Sequence, residues 1–242
     1  MTEIAIDPKE LDATRQSLRE ATARNDAGAV LDLAHTDGFS VLLQASGEGL
    51  IMAMQSELDR VAMVAERVIA ALRDRDWDGD EELALLIAAR SGGEPTGRKP
   101  VFIDLAQLMD SLEGDIEESQ GGYVDLETGM TWPAELLDSG MMDDPPEIED
   151  DPDRWLYAPN QGSRAGWRDM RDFAASLPDP VVSERLLEAI EGRVAFSRFS
   201  RTLDRHENLY LSWLAFGEER RAGRARAWLA SEGYDAVPQR LA

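Results

Sequence analysis

From Ser91 to Pro100 the chain reads SGGEPTGRKP, with three glycines and two prolines in ten residues. Proline lacks an amide donor and glycine is costly to order, so the stretch reads as a linker rather than as helix or central strand. The apolar pattern differs on its two sides. Before it, apolar residues recur at helical spacing; after it, helical stretches mix with short alternating runs bounded by turn residues. That change sets the expected class. The chain is read as α+β and mostly helical overall, with a helical N-terminal domain plus linker over residues 1–97. Over residues 98–242 a small antiparallel sheet packed by helices is expected.

The N-terminal part begins with a helix signal at Asp7-Pro8, Asp7 as the cap and Pro8 in the first turn, followed by Leu11, Leu18 and Ala21 as a sparse apolar stripe. A short helix is expected from Asp26 to Ala34. The run GLIMAMQSELDRVAMVAERVIAALRDRD holds Ile51, Met54, Leu58, Val61, Val64 or Ala65, Val68 and Leu72 at helical spacing, and reads as one long helix. Another helix follows from Asp80 to Arg90 through Leu83, Leu86 and Ile87.

Beyond the linker, FIDLAQLMDSLEG reads as a short amphipathic helix with Leu105, Leu108, Met109 and Leu112 on one side and Gly114 as its C-cap. GGYVDLETGMTW alternates and turns at Thr128-Gly129, a hairpin signal. RWLYAP fits a third strand closing at Pro159. Three helices are expected at about 164–176, 180–191 and 194–206, then a longer one from Leu209 to Ala230, ended by Gly233. No internal repeat is present.

Charge narrows the function. The chain has 242 residues, with 48 acids against 25 bases, a net charge of −23. Residues 1–100 hold 11 bases and 19 acids, residues 101–153 no base and 17 acids, and residues 154–242 14 bases and 12 acids. The middle is an acidic module and the last third an arginine-rich, nearly neutral one. Such a balance disfavours general attraction to nucleic acid or anionic lipid. Cysteine is absent, which excludes disulfides, thiolate metal sites and cysteine nucleophiles. The start, MTEIAIDPKELDATRQ, has no apolar signal core, and the apolar stretch from Leu50 to Leu72 is interrupted by Glu57, Asp59, Arg60, Glu66 and Arg67. A cytoplasmic protein is expected, without a membrane partner.

Three stretches are candidate sites. DRDWDGDEELAL places Asp74, Asp76, Asp78 and Gly79 at positions 1, 3, 5 and 6 of a calcium loop. Position 8 is Glu81 instead of an apolar residue, and position 12, which wants a bidentate carboxylate, is Leu85. The favoured reading is therefore an acidic joint in which Gly79 ends one helix and Asp80 caps the next, with Trp77 between them. The run from Asp143 to Asp153 holds seven acids and three prolines and reads as a solvated loop; the functional alternative is a lure for a basic partner or a mimic of a phosphate backbone. In EAIEGRVAFSRFSRTLDRHENLYLSW, Phe196, Phe199 and Leu203 share one helix face and are expected in the core. Arg198, Arg201 and Arg205 lie about 200° away, and with Arg193 they form the proposed interaction surface. Its targets are the chain's own acidic middle, a protein partner, or phosphate and nucleic acid, the last disfavoured by net charge. FGEERRAGRARAWL adds Arg220, Arg221, Arg224 and Arg226, read as a solvated helix face.

Signals for catalysis are weak. The two histidines, His35 and His206, read as surface or helix-end residues, and neither a nucleophile elbow nor a phosphate loop is present. A metal-dependent hydrolase built on Asp104, Asp125 and Glu127 is the weakest alternative. No cofactor is implied.

The second half carries a more specific pattern. Asp125, Thr128 and Gly129 form a turn, Tyr157 and Pro159 end a strand, and Met170 and Phe173 share a helix. Then come Ala189, Ile190, Gly192, Ala195, Phe196 and Phe199, and after them Trp213, Phe216 and Trp228. In this order they resemble the bacterial uncharacterised protein family numbered 0158, over roughly residues 101–237. One departure is Val194, where that family often carries a second small residue. The resemblance implies an α+β module and no activity. The function expected is that of a non-catalytic interaction or regulatory protein, with a nucleic-acid-associated protein as the alternative.

Overall fold

A computed structural model of the chain describes residues 6–56, 58–113, 120–138, 140, 146, 148, 151–192 and 194–239. Among these the chain forms twelve helices and five strands. Helix α1 (Pro8–Ala23) starts where the Asp7 carboxylate accepts the Lys9 amide at 3.0 Å, and it buries Leu11, Thr14, Leu18 and Ala21. Asp26 caps α2 (Ala27–Leu33) and Thr36 caps α3 (Asp37–Val41), each accepting an amide two places into the first turn. These starts follow the local sequence, because cap chemistry needs only residues that are neighbours in the chain.

The long helix expected from Gly49 to Asp76 is two helices, α4 (Leu43–Ala53) and α5 (Leu58–Arg75). Between them, the amides of Gln55 and Ser56 bond back three residues, to Met52 and Ala53, and tighten the chain into a turn. The apolar spacing runs through this break because both helices face one core: Leu50 and Ile51 on α4, and Val61, Ala65, Val68 and Leu72 on α5. Helix α4 is buried on nearly every side. Its Gly47 lets Leu83 of α6 (Asp80–Arg90) approach its backbone, where a Cβ would collide.

The second half opens with β1 (Lys99–Ile103) and α7 (Leu105–Glu113), whose Leu105, Leu108, Met109 and Leu112 are buried as the spacing predicts. Gly114 lies outside the described residues. Strands β2 (Gly121–Asp125) and β3 (Thr131–Pro133) form the expected antiparallel hairpin, α8 (Ala134–Asp138) follows, and β4 (Trp155–Pro159) pairs on the other edge of β2. Tyr123 sits opposite Trp132 on one side and Tyr157 on the other. Gly129, at φ +72, turns the hairpin while passing so close to Phe102 that no side chain fits there. Helices α9 (Arg164–Ser176), α10 (Pro180–Ala189), α11 (Ala195–Leu203) and α12 (Glu207–Ser231) come next.

The last strand, β5 (Tyr234–Pro238), pairs in parallel with β1, from Lys99–Tyr234 to Ile103–Pro238. Neither strand is expected from the pattern. Each is five residues long and contains proline, and the partner lies at the far end of the chain. The fold is thus α+β and mostly helical, with a three-stranded antiparallel sheet and a separate parallel pair.

Three apolar clusters form the interior, and α12 reaches all of them. Ala215 joins the core of the N-terminal helices. Ala225 and Leu229 join the cluster of β1, α7 and the antiparallel sheet. Trp213 and Phe216 pack on the cluster of α9, α10 and α11, where Trp213 meets Phe173 and Phe199 edge-on and Phe216 lies tilted against Phe173. At 25 residues α12 is roughly 37 Å long, enough to run past every layer. No described helix is long and apolar enough to cross a membrane.

Candidate functional site: an arginine and aromatic face beside a central helix

The charged run on α12 does not lie on a solvated face, contrary to the expectation from its composition. Arg224 bonds Glu113 of α7 at 2.5 and 2.8 Å and Asp169 of α9 at 2.7 and 3.1 Å. Arg220 also reaches Asp169, at 3.0 Å, and Arg221 reaches Asp110 at 2.7 Å. Arg226 is only 2% exposed and donates to Gln44 Oε1 and to the Ala236 carbonyl, each at 3.1 Å. Glu219 turns toward α4. Leu42, at the start of α4, has no side chain able to cap it, and the Glu219 carboxylate accepts the Gln44 and Ala45 amides at 2.7 and 3.0 Å. A residue far along the chain thus caps the helix and places negative charge at the positive end of its dipole.

The acidic joint at 74–80 serves the same docking. Asp80 is buried and is the first helical residue of α6 instead of its cap; its carboxylate accepts from Trp77 N at 3.0 Å and pairs with Arg75 at 2.7 Å. Arg75 in turn bonds Glu219 at 2.9 Å. Gly79 and Gly223 face each other so closely that a Cβ on either would enter the other segment's backbone. Trp77 packs on α12 and not between α5 and α6: its ring meets Phe216 edge-on at 5.3 Å, and the guanidiniums of Arg75 and Arg220 lie over it at 4.4 and 5.0 Å. Asp74, Asp76 and Asp78 are exposed at this joint. Among the described residues no group of three or more histidine, aspartate or glutamate side chains is arranged to hold a metal ion.

Asp125, one of the carboxylates weighed for hydrolysis, holds the hairpin turn. It accepts from Glu127 N at 3.0 Å and Thr128 Oγ1 at 2.8 Å, and takes Arg154 bidentately at 2.8 and 2.6 Å. Burial opposes its charge, but Arg154, Thr128 and the Glu127 amide outweigh burial and hold the carboxyl at about 2. Glu127 pairs with the same arginine, and Asp104 caps the start of α7 through Ala106 N.

Helix α11 presents the other arrangement. Phe199 and Leu203 are buried, but Phe196 is 46% exposed, a departure from the expected three-residue core stripe. Phe196 stands at the first turn of α11, where its ring edge approaches Gly166 of α9. Val194, just before the helix, is 69% exposed and adopts φ +57, a left-handed conformation that costs a β-branched residue about 1–3 kcal/mol. Trp167, also exposed, is fixed by its indole N–H donating to the Ile190 carbonyl at 3.1 Å. Together with Arg164 these residues line a shallow open groove.

Of the arginines assigned to this face, Arg193 lies outside the described residues. Arg198 turns back to the Glu191 carbonyl. Arg201 and Arg205 are exposed and form no ion pair among the described residues, and the same holds for Arg164 and Arg168. From the acidic run, residues 143–145, 147, 149 and 150 lie outside the described residues. Sequence reasoning missed Trp167, and marked Val194 only as a departure from the family pattern, not as part of a surface.

Fold and face together define a mostly helical α+β protein that carries an open aromatic and arginine surface. The chain belongs to Uncharacterised protein family (UPF0158), which it matches over residues 98–240, well over half its length. No curated protein and no solved structure matches it.

Proposed function

We propose that this chain is a non-catalytic interaction protein of the cytoplasm, of regulatory or scaffolding type. Its contact face is the α9–α11 surface, and its partner is an acidic protein segment bearing an apolar anchor. One observation carries the reading. Arg164, Arg168, Arg201 and Arg205 are all exposed and pair with no carboxylate among the described residues, in a chain of 48 acids and 25 bases. Unpaired guanidiniums beside exposed Trp167, Val194 and Phe196 fit the residue types that anchor protein interfaces. The absence of cysteine agrees with a reducing compartment.

The test is a titration of a fluorescent acidic peptide containing leucine and tryptophan, run against a random single-stranded oligonucleotide at several salt concentrations. Peptide binding that weakens with salt, and falls at least tenfold in the Arg201→Ser/Arg205→Ser double variant, is the expected result. Tighter binding of the oligonucleotide, with a steep salt slope, would instead support the nucleic-acid reading. Failure of both probes at low salt removes the proposed face.

A further inference from the structure

A second feature lies on the opposite side of α12, where α1, α4, α7 and the end of β5 meet. They enclose a cleft of about 240 Å³. Leu18, Ala45, Met109 and Ala222 give it apolar walls, and Glu48 lies within it. Glu48 stands between the closely packed Gly47 and Gly49 on a helix otherwise buried in the core, and its half-buried side chain lines the cleft.

The other carboxylates of the lining are committed. Glu219 caps α4, Asp104 caps α7, and Glu218 pairs with Arg15 at 2.6 Å and with Arg19 at 3.7 Å. Glu48 forms no hydrogen bond or ion pair among the described residues. Burial pushes its carboxyl above the ordinary range; Arg226 and, more weakly, Arg19 pull the other way without bonding it, and Asp104 and Glu218 push with burial.

The ligand class follows by elimination. An anion would meet four carboxylates and one guanidinium. A neutral apolar molecule would leave Glu48 desolvated and unpaired, which is costly. A divalent metal would lack its shell, because no group of three or more ligating side chains exists among the described residues. A cation with an aliphatic body satisfies both walls and carboxylate. We infer that this cleft binds a free, small aliphatic primary amine, its ammonium on Glu48 and its chain along Leu18 and Met109. The site spans the N-terminal helices and the family-matched segment and is independent of the α9–α11 face.

Calorimetric titration of the full chain with hexylammonium tests this, with hexanol, hexanoate and doubly capped lysine as comparison ligands. Saturable binding of hexylammonium is expected, at least tenfold tighter than that of hexanol, with none of hexanoate. Glu48→Gln should weaken it at least tenfold while far-ultraviolet circular dichroism is unchanged. Because Glu48→Gln touches a packed helix, Ala23→Phe serves as a second variant: it lies at the exposed end of α1 on the cleft rim, and should block binding without disturbing the fold. Equal affinity for hexanol, unweakened binding to a folded Glu48→Gln protein, or no saturable binding at all overturns the inference. Capped lysine binding as tightly as hexylammonium overturns its assignment to a free amine.

Discussion

Helices α11 and α12 are neighbours in sequence and both rich in arginine, yet their arginines have opposite surroundings. On α12, Arg220, Arg221 and Arg224 each hold a carboxylate of another helix, and Arg226 is sealed inside. At the end of α11, Arg201 in its last turn and Arg205 just beyond it face solvent without an ion pair among the described residues. The difference teaches that arginine content says little about where a binding surface lies. Position in the assembly decides it: α12 runs through the middle, and each of its sides meets a helix or strand, whereas α11 covers its cluster from outside.

The contrast breaks most visibly at Arg224. Its partners Asp169 and Glu113 are themselves 4% and 9% exposed, so Arg224→Ala leaves two buried carboxylates short of a cation. A loss of roughly 3–5 kcal/mol is expected in urea unfolding. A loss below about 1 kcal/mol would mean that this network is no more structural than a surface pair.

A second arginine pair sharpens the comparison through pH. The Asp125 carboxyl is held at about 2 in the folded chain, below an unfolded value of about 3.9, so its stabilising effect is complete above roughly pH 4 and is lost as pH falls toward 2. Asp125→Asn should therefore be less stable than the parent at neutral pH, and the gap should close across that acid window. A gap that stays constant down to pH 2 would show that Arg154 does not act on the ionised carboxylate.

The smallest effect belongs to α11. Arg201→Ser/Arg205→Ser should shift unfolding stability by less than about 0.5 kcal/mol, since exposed side chains away from special contacts seldom contribute more. A much larger shift would place these arginines in a structural network like that of α12, and would make any loss of partner binding uninformative.

The sequence was most legible where the determining contacts are local. Asp7-Pro8 and Asp26 start helices through amides a few residues away. Asp125, Thr128 and Gly129 make a turn closed by bonds within five residues, from Asp125 to Glu127, Thr128, Gly129 and Met130. The motif order of the second half sufficed for the family. Legibility failed where one pattern fits two arrangements. The apolar spacing from Ile51 to Leu72 serves one long helix or two helices on a shared core equally well, and the turn after Ala53 chose the second. Glu48 was overlooked because a lone acid in an apolar helix reads as exposed until the helix is known to be surrounded.

By itself, then, the sequence determined the class, the acidic character, most helix starts and the hairpin. Those depend on backbone propensity, capping and side-chain period, which act over a few residues. Tertiary structure alone decided that α12 is central, that Glu219 caps a helix on the other side of the chain, that β1 and β5 pair, and which arginines remain unpaired. Such outcomes depend on burial and on charge partners far apart in sequence. Burial raises the penalty for an unmatched charge, so the packed interior draws arginines and carboxylates together there and leaves only those at the periphery free to meet another molecule.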